Sequence, residues 1–316
     1  MVPVDLITGF LGAGKTTFLL RYARFLLQKG EKLGILVYDH GAVNVDLPLL
    51  GTLRGDNCEV ETLAASCDAD CHRRRFRSKL IAMAMGGYDR ILIEPSGVFD
   101  MDEYFDTLRE APLDRWLDFG NVLCVVDAKL ESDTLPEEEF FLASEASCAG
   151  ALVMSRVQLA APQEIENTLL HLRQAAEMIG AQLPARVLAK DWSRLEAADF
   201  DALRACGYAF PDYVKTIAGR GTGFQSLSFL RLPLGEKELR EKAAALFGSE
   251  AYGHVLRVKG FFRQGEGWRE FNATRRAAAV RPAADSLAVL TVIGSELHER
   301  EIHLLLTGEE PKLRIL

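Results

Sequence analysis

The chain has 316 residues, 48% hydrophobic and 26% charged, with a formal net charge of −8. That is an ordinary globular balance, long enough for two domains and a sizeable core, and its acidic sign argues against a nucleic-acid footprint. No apolar run reaches membrane-spanning length and the opening MVPVDLITGF lacks the basic flank of a signal peptide, so a cytoplasmic protein is expected, whose six cysteines stay reduced and are free, catalytic or metal-binding.

In chain order, VDLITGF is short, apolar and β-branched and reads as a buried strand. GFLGAGKTT follows, from Gly9 to Thr17, and satisfies G-x-x-x-x-G-K-[ST] between a strand and a helix. Such a loop needs glycine, as at Gly12 and Gly14, because backbone N–H groups must turn inward on phosphate oxygens with no Cβ in the way. The helix starting near Lys15 adds its positive dipole end. Lys15 is expected to reach the β and γ oxygens, and Thr16 to ligate Mg2+. Gly9, Gly12, Ala13, Gly14, Lys15, Thr16 and Thr17 are thus the candidate nucleotide-binding segment. TTFLLRYARFLLQKG then has helical periodicity and stops at Gly30.

KLGILVYD is a second strand, ending in Asp39. AASCDADCHRRRF begins at Ala64 and gathers Cys67, Cys71 and His72. These are metal-ligand types, although buried free cysteine is also common in cores. YDRILIEPSG is a further strand ending in Glu94. Glu94 and Asp39, at strand ends, are candidates for the magnesium and water shell, with a surface acid or helix cap as the alternative for each. Gly97 is a candidate to offer its N–H to the γ-phosphate and to move when that phosphate leaves. NVLCVVDA, whose Asp127 reads as structural, GALVMSRV and ARVLAKD are three more strands, and EIENTLLHLRQAAEMIG is a helix. Near-continuous apolar strands alternating with helices predict an α/β fold: a mostly parallel sheet covered on both faces, with ligands at the carboxyl ends of its strands.

The pattern changes after about Thr216. AGRGTGF reads as a linker or tight turn. SLSFLRLP, a helix EKELREKAAALFG, the strands HVLRVKGFFR, WREFNATRR and SLAVLTVIG, and a last helix EREIHLLLTG follow. Strands grouped with two helices predict a small α+β domain. The expected boundaries are 1–218 for the nucleotide-binding domain and 219–316 for the second.

LITGFLGAGKTT, YDHG after the second strand, a Cys-rich segment, LIEPSG, and the C-terminal pair VLRVKGFF and LTVIGSEL together resemble the CobW-type P-loop GTPases, relatives of the urease and hydrogenase nickel-insertion GTPases. The resemblance covers nearly the whole chain. It implies a P-loop domain followed by a small α+β domain, and slow GTP hydrolysis coupled to delivering a metal ion or assembling a metal cofactor for a client protein. It also implies a nucleotide-dependent homodimer as one state to test. The family's Cys-x-Cys-Cys element sits where this chain has SCDADC, so Cys67 and Cys71 become expected metal ligands. Their spacing suits one tetrahedral Zn2+, and in a helix an i,i+4 pair shares one face. A third ligand is open among His72, Cys58, Asp70 and Asp68. Thiolate with imidazole favours Zn2+ or another soft divalent ion.

The family's Asn-Lys-x-Asp, which reads guanine, is replaced here by Ser155, Arg156 and Gln158. An aspartate takes both guanine donors on one carboxylate. Losing a charged hydrogen bond costs about 1.5–3 kcal/mol, or roughly 10- to 150-fold in affinity. Relaxed choice between GTP and ATP is therefore expected. Three functions fit: an NTP-hydrolysing metal chaperone, an ATP- or GTP-driven activator of a cofactor-bearing partner such as a corrinoid enzyme, and a nucleotide-binding scaffold with negligible turnover.

Overall fold

The computed structural model describes residues 1–39, 50–64, 69–130, 134, 136–213, 224–275, 277–283 and 288–310; for 39, 64, 69–72, 137 and 224 it describes the backbone only. These residues form two compact units, one within 1–221 and one beyond it.

The first unit is built on strands β1 (Val2–Thr8), β2 (Leu33–Asp39), β3 (Cys58–Ala64), β4 (Arg90–Glu94), β5 (Leu117–Asp127), β6 (Ala151–Ser155) and β7 (Val187–Leu188). They form one seven-stranded sheet in the order β3-β2-β4-β1-β5-β6-β7. All its pairings are parallel. Helices flank it: α1 (Lys15–Gln28), α2 (Ala69–Ala84), α3 (Met101–Arg109), α4 (Leu113–Trp116), α5 (Pro136–Ser147), α6 (Pro162–Met178) and α7 (Ala197–Leu203). The sheet is apolar because it is covered: Val4, Leu6, Ile7, Ile91, Leu92 and Ile93 are completely buried, each contributing about 1.5–3 kcal/mol of transfer free energy. Helix α1 buries Phe18, Tyr22 and Phe25 on one stripe, the spacing of a 3.6-residue period.

One polar group interrupts this core. Asp5, in mid-β1, is completely buried. It accepts from Arg90 at 2.8 and 3.0 Å, from the Tyr22 hydroxyl at 2.9 Å, and from the N–H and Nδ2 of Asn121 at 2.8 and 3.0 Å. Arg90 also donates to Glu31 at 3.1 Å. The network ties β1 to β4, β5 and α1, and it satisfies the charge that burial would otherwise penalise.

The second unit is an antiparallel sheet of β8 (Phe224–Leu230), β9 (His254–Gln264), β10 (Gly267–Thr274), β11 (Ala278–Ala283) and β12 (Val289–Ser295), with helices α8 (Glu236–Gly248) and α9 (Glu299–Thr307). Its order is β11-β10-β9-β12-β8. Leu239, Ala243, Leu246, Ile302 and Leu306 of the helices join Val258, Phe271 and Val292 of the strands in one core. Among the described residues no helix is long and apolar enough to cross a membrane.

Candidate functional site

Strand β1 ends at Thr8 and the chain enters α1 through six residues. Gly9, Gly12 and Gly14 there have φ of 135°, 79° and 106°, values that suit glycine and cost other residues strain. At Gly9 there is no room besides: a Cβ would stand 2.1 Å from the carbonyl oxygen of Val125 in β5. Ala13 N–H donates to the Phe10 carbonyl at 3.1 Å, closing the loop. Gly14 is the N-cap of α1, and no side chain caps that end. The N–H groups at the start of α1 are therefore aimed at the carboxyl end of the sheet, where an anion is favoured.

Lys15 is buried, and its ammonium donates to the Gly9 carbonyl at 2.8 Å, across the loop. Thr16 donates its hydroxyl to Glu94 Oε1 at 2.6 Å, and Glu94 is buried at the end of β4. Sequence positions 78 residues apart thus meet beside the loop. Gly97 follows on the same side: a Cβ placed on it would stand 2.5 Å from the backbone nitrogen of Leu11, so its loop lies directly against the phosphate loop. Asp39 ends β2 in register with Ala64; its side chain lies outside the described residues. Thr17 is exposed on α1.

On the other side of β1, Ser155 is buried at the end of β6, close to Gly14. Arg156 adopts φ 55°, donates to Asp127 and reaches the Gly12 carbonyl at 2.9 Å. Gln158 is exposed in the short turn Val157–Leu159. The replaced base-reading stretch therefore flanks the loop opposite Glu94. Asp127 accepts from the Lys129 N–H at 3.0 Å and pairs with Arg156, in keeping with a structural role. Two further residues are missing from the sequence reading. The Trp192 ring lies 3.4 Å from where a Gly14 Cβ would be and packs on Phe18 at 5.5 Å between ring centroids. Glu145 of α5 is completely buried. Signals existed for both: Trp192 follows the last parallel strand, at the end where ligands gather, and Glu145 is the one charge in the stretch FFLASEAS that ends α5.

Cys67 lies outside the described residues, as do the side chains of Cys71 and His72. Cys58 lies within the described residues. It opens β3, paired with Leu33, while the Cys67–His72 segment leaves from the Ala64 end. Six strand steps of about 3.3 Å put those ends roughly 20 Å apart. Burial also pushes the Cys58 thiol up to about 11, which disfavours the thiolate a metal needs. Among the described residues no group of three His, Cys, Asp or Glu side chains is placed to hold a metal, and Cys58, Cys124, Cys148 and Cys206 are free thiols.

Residues 3–180 match the family model described as CobW/HypB/UreG, nucleotide-binding domain. The chain is 28% identical over 167 residues to the zinc chaperone YeiR of Escherichia coli (strain K12), covering 52% of this chain and 49% of that one. It is 28% identical over 173 residues to the zinc chaperone YjiA of the same strain, covering 52% of each. It thus spans about half the length of the curated relatives it matches. The crystal structure of Zn(II)-bound YjiA GTPase from E. coli aligns over 98% of this chain and 99% of that one, at 20% identity and a TM-score of 0.37.

Proposed function

Starting from the fact that the chain belongs to the CobW/HypB/UreG family of nucleotide-binding domains, we propose that it is a slow nucleoside triphosphatase that couples nucleotide binding and hydrolysis to delivery of a soft divalent metal, Zn2+ first, to a client protein. The observation that carries the hydrolase half is the meeting of Thr16 and Glu94 at 2.6 Å beside the glycine loop. A hydroxyl and a carboxylate there are hard oxygen donors of the kind Mg2+ takes. Thr16 and Glu94, with Asp39 as a further candidate, would hold that ion, which when bound neutralises charge on the β- and γ-phosphates. The chain's own residues do the rest. The N–H groups of the loop and of the α1 terminus bind the phosphate oxygens. Lys15 holds its ammonium over the loop, where it meets charge that builds during phosphoryl transfer. Gly97, packed on Leu11, registers whether a γ-phosphate is there.

The metal half rests on the relatives named zinc chaperones and on Cys67 and Cys71, with His72 as the nearest third donor. An activator that carries no metal is the second reading, favoured by the absence of an adjacent cysteine pair in SCDADC. The hydrolase reading is tested by Mg2+-dependent phosphate release from GTP and ATP by the wild type and Lys15→Ala. The wild type turns over slowly, and Lys15→Ala loses measurable turnover while remaining folded. Equal turnover by the two proteins overturns the reading.

A further inference from the structure

Glu145 sits under the phosphate loop and plays no part in the reading above. Its carboxylate is completely buried. Oε1 accepts from the Phe99 N–H at 3.3 Å, in the segment just after Gly97. Oε2 is buried without a hydrogen bond among the described residues, and so is the Thr8 hydroxyl at the end of β1. The Thr8 hydroxyl and the Gly9 N–H are nonetheless close enough to act on the carboxylate as hydrogen-bond donors, and the Lys15 ammonium acts on it as a charge. Glu145 thus touches or faces both walls of the phosphate site: the start of the loop and the Gly97–Phe99 segment that packs on it at Leu11.

We propose that Glu145 is a positioning residue that ties the phosphate loop to the Gly97 segment, and that nucleotide binding moves a proton from solvent onto its carboxylate. The inference rests on the phosphate-binding reading of the loop. Its physical basis is competition for one cation. Lys15 is the charged group that faces Glu145, and it favours the ionised form. Bound phosphate engages the same ammonium and adds negative charge nearby, so the carboxylate loses its counter-charge and takes a proton. Burial has already prepared this, pushing the Glu145 carboxyl up to about 7 against the opposing pull of Lys15, the Phe99 N–H, Thr8 and the Gly9 N–H. The other titratable groups around it do not compete: burial raises Cys124 of β5 well above the usual thiol range and Cys148, just past α5, to about 12, so both stay neutral. Linkage is reciprocal. If nucleotide raises the affinity for the proton, the proton raises the affinity for nucleotide, and binding weakens as pH rises through 7.

The test is calorimetric binding of the Mg2+ complexes of non-hydrolysable GTP and ATP analogues, from pH 6.0 to 8.5, to the wild type and Glu145→Gln. Buffers of different ionisation enthalpy count the protons exchanged, and the glutamine variant subtracts the titration of the phosphates themselves. The expected result is a fraction of a proton more taken up by the wild type near pH 7.5. Its affinity should also fall about 3- to 10-fold relative to the variant between pH 6.5 and 8.5, within the one-decade-per-unit limit for one proton. Parallel affinity curves with equal proton counts overturn the inference and leave the phosphate reading intact; no binding of either analogue at any pH overturns both. An infrared measurement on the wild type alone does not depend on the variant's folding. The carbonyl band of a protonated carboxylic acid should grow at pH 7.5 when nucleotide is added, and its failure to grow also overturns the inference.

Discussion

Asp5 and Glu145 are both completely buried carboxylates in the same parallel-sheet unit, and they are treated in opposite ways. Asp5 receives Arg90, Tyr22 and both nitrogens of Asn121. Glu145 receives the Phe99 N–H at 3.3 Å, with the Thr8 hydroxyl and the Gly9 N–H as further donors near its carboxylate. The first arrangement ties β1 to β4, β5 and α1. The second leaves the charge state open, and it does so beneath the one loop built for anions. The lesson is that burial alone does not mark a functional carboxylate; the elements its donors come from do.

The largest expected effect breaks the Asp5 side. Arg90→Ala leaves a buried aspartate without its cation, which costs about 3–5 kcal/mol of stability. Denaturant unfolding measures this. The folded fraction should still bind nucleotide as the wild type does, because Arg90 lies at the other end of β4 from Glu94. A loss below about 1 kcal/mol would mean that the network is not the joint described here. The smaller effect sharpens the phosphate side. Gln158 is exposed and free to change, so Gln158→Asp should leave stability within about 0.5 kcal/mol. It should also shift preference toward GTP over ATP by roughly 10- to 150-fold, the worth of one charged hydrogen bond. Competition binding of both nucleotides reads that shift. An unchanged ratio would show that Gln158 does not face the base, and a wild-type preference for GTP above about 100-fold would show that other residues read guanine.

Most of the sheet was legible because its strands are buried on both faces and read as apolar runs: VDLITGF overlaps β1, and KLGILVYD and YDRILIEPSG contain β2 and β4. What escaped were the edges. In β3, Cys58 and Val60 are buried while Glu59 is exposed, an alternation too short to stand out from the Cys-rich stretch after it. In β11, AAVRPA has little β-branched character and a proline, which only an edge strand tolerates. The phosphate loop was legible to the residue, because its chemistry dictates local spacing. Glu145, Trp192 and the Arg156–Asp127 pair were not, since they reach the loop from α5, from beyond β7 and from two strand ends. Their roles come from tertiary neighbours rather than from spacing.

Coupling between nucleotide and metal is read by a zinc competition titration. Wild type and the Cys67→Ser, Cys71→Ser double mutant are each titrated with and without a non-hydrolysable nucleotide. The account predicts zinc binding by the wild type that the double mutant loses, that weakens as pH falls because thiolates must shed protons, and that changes severalfold with nucleotide, nucleotide affinity changing by the same factor when zinc is added. Equal zinc affinity in wild type and mutant, or zinc binding indifferent to nucleotide, would contradict it.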